Sequence, residues 1–166
     1  VFKAGAASVM VPLGDDCFPN AESVAKHDDV YVRMVILESD RRFAIMTADM
    51  PSMLPHDLSF CKNMLQEVAG VAPEDSWVMV TNCLSAPHTW PAGDHEQPDT
   101  PRPMTLDKNP HFRQVSTRIN KAYRHAYRKA VDNALANMCE ASVGFGMGSC
   151  AINVNKNIQT VEGWWQ

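Results

Sequence analysis

No apolar stretch of this chain approaches the roughly 20 residues that a membrane span requires. Residues Val1–Leu13 have no basic start followed by a long apolar core, so they do not read as a secretory signal. CxxC spacing is missing too. The five cysteines (Cys17, Cys61, Cys83, Cys139 and Cys150) form an odd, scattered set, which excludes a zinc ribbon and a dense disulfide framework. Reduced thiols and a cytoplasmic location are the simpler expectation. A periplasmic or secreted location after signal removal is the alternative, because the chain begins at Val1 rather than at a methionine. There is no internal repeat, no low-complexity tract and no basic motif interleaved with aromatics, so nucleic acid is not an expected partner.

What is present is ordinary in bulk and uneven in detail. At 166 residues, 45% hydrophobic and 20% charged, the chain suits a single domain with a sizeable core. Its net charge of −4 hides acidic residues 1–99 and basic residues 100–166, as expected of two parts that fold onto each other. Ala4–Val11, Val30–Leu37 and Phe43–Ala48 read as strands, the last two joined by the polar turn Asp40-Arg41-Arg42. Pro55–Ala69 places apolar groups at 3–4 spacing and predicts a helix stopped by Gly70, with Ser52 or a neighbour as its cap. A strand at Ser76 completes a strand–helix–strand unit, which favours a partly parallel sheet. A proline-rich loop follows over residues 90–110, then a long helix from about His111 to Met138. Ala141–Met147 reads as a glycine-containing strand. The adjacent Trp164 and Trp165 carry apolar area that calls for a partner, from continuing chain or a second chain. The fold expected is α/β, a mixed sheet flanked by helices.

The chemistry concentrates in SWVMVTNCLSAPHTWPAG, residues 76–93. A short buried-type strand ends at Thr81-Asn82, and a loop stiffened by Pro87 and Pro91 presents Cys83, Ser85, His88, Thr89 and Trp90. Functional groups in open α/β sheets gather at such strand ends. His88 is a candidate proton carrier or metal ligand, against a plain hydrogen-bonded loop histidine. Cys83 is a candidate nucleophile, against a buried strand-end thiol. Asp49 ends the preceding strand and is placed to orient His88 or a substrate amine, or else to cap a turn. Trp90 and Thr89 are candidate substrate contacts, with Trp90 as the wall of an apolar acyl pocket or as simple packing. Asn153 and Asn155 could hydrogen-bond a substrate carbonyl or stabilise their own loop.

Several of these segments, in order, resemble the N-terminal part of the neutral/alkaline ceramidase family. They are AGAASVMVPLG, VYVRMVILES, FAIMTADM, VAPEDSWVMVTNCLSAPHTWP and ASVGFGMG…INVNKN, spanning roughly residues 4–157. The resemblance implies the N-terminal part of a ceramidase-like domain. It also implies hydrolysis of N-acyl amide bonds with a zinc-activated water. The family's histidine motif reads THTHSGP, and its first His is a zinc ligand. Aligned on Ser85-Ala86, His88 falls on that ligand position and Trp90 replaces the second His. The other family ligands and the active-site serine lie beyond Gln166. A catalytic zinc needs about three protein ligands and an open position. Here only His88, His95 and Asp49 form a local set, and their spacing fits no helix or hairpin pattern.

The expectation is therefore one domain over 1–166, or the N-terminal subunit or fragment of a larger catalytic domain. Its function is amide hydrolysis of an N-acyl compound or small peptide. The partner is a second polypeptide from the same precursor, cut after Gln166, or a C-terminal remainder. Zinc, held in part by His88, is the cofactor the resemblance implies. An acyltransferase or peptide-modifying enzyme of the same fold, and a catalytically inactive binding module, are the alternatives.

Overall fold

A computed structural model of the chain describes residues 1–90, 109–152 and 158–165. Strands β1 (Lys3–Met10), β2 (Tyr31–Glu38) and β3 (Arg42–Ala48) form an antiparallel meander. Helix α1 (Pro55–Ala69) then carries the chain back to β4 (Ser76–Val80), which pairs parallel to β3. Helix α2 (Pro110–Ala136) leads to β5 (Cys139–Glu140), a two-residue strand against β1. The sheet order is β4-β3-β2-β1-β5. Strands β6 (Ile158–Thr160) and β7 (Gly163–Trp165) make a separate hairpin that includes Trp164 and Trp165. The architecture is α/β with a mixed five-stranded sheet, as the strand–helix–strand pattern predicts. No helix among the described residues is long and apolar enough to cross a membrane.

Alternation decides which face is covered. Val9, Val32, Met34, Ile36, Ala44, Met46 and Ala48 share one face of the sheet and are buried with residues of both helices. Helix α2 contributes an alanine-rich stripe with Tyr123 and Tyr127, and its small residues let it lie close to the sheet. At Gly5 the approach is closest: a Cβ there would meet the Ala134 carbonyl oxygen at 2.1 Å. Glycine is thus a packing requirement in β1.

Two local expectations change. Helix α1 starts after Leu54, which offers no side-chain cap; Pro55, at the first helical position, needs no N–H partner there, and Ser52 is not used. Its end is as predicted: Gly70 is left-handed (φ 64°), its N–H bonds to Gln66, and the Val71 N–H reaches Leu65. Residues 141–147, expected as a strand, continue from β5 with one bond, from the Ala141 N–H to the Phe2 carbonyl, and beyond it have no strand pairing among the described residues.

Candidate functional site

The loop after β4 begins by prolonging the parallel pairing. The Thr81 N–H bonds to the Ala48 carbonyl and the Cys83 N–H to Met50. Between them Asn82 takes a left-handed conformation (φ 55°), which an Asn tolerates, and turns the chain out of the sheet. The loop is then clamped by both helices. The Thr89 hydroxyl donates to the Asp57 carboxylate of α1. Ser116 Oγ and Asn120 Nδ2 of α2 each donate to the Trp90 carbonyl at 2.8 Å. Thr89 and Asp57 are both buried, and Asp57, only 1% exposed, also lies 3.3 Å from His56 and 4.0 Å from Arg124. Buried charge needs such partners. His88 immediately precedes the two anchored residues, Thr89 and Trp90.

The ring of His88 meets a residue that sequence reading missed. Glu22, in the loop after β1, accepts from His88 Nδ1 at 2.5 Å with Oε1 and from the His88 backbone N–H at 3.0 Å with Oε2. Trp90 Nε1 donates to the same Oε1 at 3.3 Å, and the indole lies 4.6 Å from the imidazole. A carboxylate can only accept, so Nδ1 carries the proton toward Glu22. Among the described residues Nε2 has no hydrogen-bond partner. Glu22 is itself set by Asn20, whose Oδ1 accepts from the Glu22 and Ser23 N–H groups. Only that turn chemistry was readable locally; the pairing spans 66 residues.

The other predicted residues divide between this cluster and the sheet end. Asp49 does not bond to His88. It accepts from the Tyr31 N–H at 2.9 Å, Arg33 at 2.8 Å and Thr81 at 3.1 Å. Burial raises its pKa, but the Arg33 guanidinium and these donors outweigh that and hold the carboxyl below its ordinary value. Cys83 Sγ lies 3.4 Å from Ser85 Oγ, with no imidazole bonded to it among the described residues. Asp49, Cys83, Ser85 and Pro87 line a cleft of about 460 Å³ together with Leu13, Phe18 and the charged 26–29 stretch. Trp90 lines instead, with Glu22, His88, Phe112 and Ile119, a neighbouring crevice of about 10 Å³, too small for an acyl chain. Asn153, Asn155 and His95 lie outside the described residues.

The zinc implied by the resemblance can be set against this donor set. Among the described residues no group of three His, Cys, Asp or Glu side chains could hold a metal ion. His88 offers one ligand nitrogen, Glu22 is committed to Nδ1, and Trp90 offers none. These residues do not by themselves fit a zinc.

The fold has solved counterparts. It is similar to a neutral ceramidase from Pseudomonas aeruginosa, with TM-score 0.56 and 13% identity, covering 82% of this chain and 22% of that one. It is also similar to a ceramidase complexed with C2, with TM-score 0.56 and 12% identity, covering 82% of this chain and 21% of that one. The fold is ceramidase-like. At these identities the likeness is one of fold, and the chain spans about a fifth of the length of either neighbour. The sequence matches no protein-family model and no curated protein.

Proposed function

We propose that this chain is one portion of an amide-bond hydrolase acting on an N-acyl compound or small peptide, with His88 as its proton carrier. The observation that carries the reading is the Glu22–His88 pair, in which Nδ1 is held at 2.5 Å and Nε2 is left without a partner among the described residues. A carboxylate on one imidazole nitrogen fixes the tautomer and stabilises the imidazolium that forms when the other takes a proton. In hydrolysis, Nε2 accepts a proton from water as the water oxygen attacks the amide carbon. The imidazolium then returns that proton to the amide nitrogen as the C–N bond breaks, giving acid and amine. Such proton transfer contributes about 10²–10⁴-fold to a rate.

The cleft beside Pro87 supplies apolar wall at Leu13, Phe18 and Val30 and polar atoms at Cys83 and Ser85. In this reading it takes the acyl or side-chain part of the substrate, and Asp49 braces its rim. Trp90 orders Glu22 rather than walling an acyl pocket. Asn153 and Asn155 keep their assignment to the substrate carbonyl. The second polypeptide or C-terminal remainder supplies the other site groups.

The reading is tested by incubating the full-length gene product, with any chain that co-purifies, with a panel of N-acyl amines and dipeptides. Amine release that falls at least a hundredfold in His88→Ala supports it, and no release from any substrate contradicts it. A competing amine in the same assay distinguishes an acyltransferase by its new amide product. The binding-module reading draws on the incomplete donor set and expects no amine release.

A further inference from the structure

Both helices cover one face of the sheet, and the opposite face, largely apolar, has no layer over it among the described residues. Register places Ala4, Leu37 and Phe43 in one row across β1–β3, and Ala6, Val35, Ile45 and Trp77 in the next across β1–β4. The third row, Ser8, Arg33, Thr47 and Met79, is polar on β1–β3, and its Arg33 pairs with Asp49 at the sheet end. Trp77 is 57% exposed and Met79 43%, and the Phe43 and Trp77 rings meet edge-on at 5.1 Å above this face. A solvated sheet face normally alternates to polar residues, and contiguous apolar patches of this kind mark interaction surfaces.

A second feature says what kind of structure belongs there. After β5, residues 143–148 run Val-Gly-Phe-Gly-Met-Gly, with every side chain on an alternate position. Phe145 is 91% exposed, Val143 and Met147 are similarly bare, and no strand pairs with this segment among the described residues. An apolar segment with side chains at alternate positions and no paired strand is suited to strand addition.

Size indicates where the cover comes from. Four strands about 4.8 Å apart and some 20 Å long present on the order of 400 Å². A stable association of separate molecules needs about 800 Å² from each partner, so stacking of two copies on this face alone falls short. A layer within the same protein escapes most of the cost of association. The solved ceramidases to which this fold is similar are chains of which it spans about a fifth, so that fold is carried by much longer polypeptides.

We infer that the open face is the docking surface of a second β-sheet, contributed by polypeptide of the same protein outside residues 1–166 and pairing with the 143–148 segment. The inference rests on the proposed reading of this chain as a portion of a larger hydrolase. Hydroxyl-radical footprinting of the full-length gene product, read by mass spectrometry and accompanied by sedimentation at two concentrations, tests it. The expected result is a monomer in which Trp77 and Met79 react at least tenfold more slowly than after unfolding in urea. Leu58 and Val24, exposed and away from this face, slow less than threefold. Reaction of Trp77 at close to its unfolded rate overturns the inference. So does protection that appears only with concentration-dependent dimers, and so does a gene product no longer than this chain. Amide hydrolysis measured on the same sample separates the two ideas. Protection without hydrolysis supports the docking surface and removes the enzyme, whereas hydrolysis without protection overturns the docking surface alone.

Discussion

Two carboxylates flank the loop after β4, and their partners give them opposite roles. Asp49 ends β3 and spends its oxygens on the Tyr31 N–H, Arg33 and Thr81, all groups of the sheet end. Glu22 sits in an irregular loop and spends its oxygens on the ring and backbone of His88 and on Trp90. The first carboxylate ties the fold to itself. The second holds a titratable ring whose other nitrogen has no partner among the described residues. A position at the end of a strand made Asp49 the more conspicuous residue in the sequence, yet the identity of the partners separates a brace from a site.

The sharpest break in that comparison is His88→Ala. It should lower amide hydrolysis by about 10²–10⁴-fold while urea denaturation shows a change of no more than about 1 kcal/mol. Asp49→Ala should do the reverse. Loss of its charged hydrogen bonds, with Arg33 and the Tyr31 N–H left behind, should cost about 2–3 kcal/mol in the same denaturation experiment. Hydrolysis per folded molecule should fall less than about tenfold, through KM rather than kcat, because Asp49 braces the cleft rim without touching the reacting atoms. Glu22→Gln keeps the shape but removes the charge that steadies the imidazolium, so hydrolysis should fall about 10–100-fold with stability nearly unchanged.

The smallest effect is one of pH. Asp49 has a folded pKa held below its unfolded value of about 3.9, so its contribution is complete above that value. It is lost as pH falls through the depressed folded value. The stability gap between the parent protein and Asp49→Asn should therefore be constant from pH 6 to 8 and shrink below about pH 4, in urea titrations at each pH.

Much of the frame was legible because it follows local periods. Helix α1 has the bounds that its 3–4 spacing and Gly70 imply, and β2 and β3 begin and end within a residue of their β-branched runs. In α2 the alanine stripe was visible, but Tyr123 and Tyr127 were not assigned to the core. Their hydroxyls find Asp49 and Met50 across the fold, where burial pushes both phenols upward in pKa. The 141–147 segment alternates as a strand should, and alternation alone does not supply a neighbour to pair with. At the site, His88 and Trp90 stood out on their loop. Glu22 did not, because no periodicity links residues from two loops, and its only local mark was the Asn20 turn. Thr89 likewise pointed to substrate, but its hydroxyl goes to Asp57 on α1.

The central claim is that Glu22 fixes the His88 ring with Nε2 as the reactive atom. Nitrogen-15 NMR of the imidazole in the full-length protein, compared with Glu22→Gln, tests it most directly. The account predicts that the neutral ring of His88 carries its proton on Nδ1, with a pyridine-type Nε2, and that Glu22→Gln weakens this preference. A neutral ring protonated on Nε2, or a tautomer balance unchanged by Glu22→Gln, would contradict it.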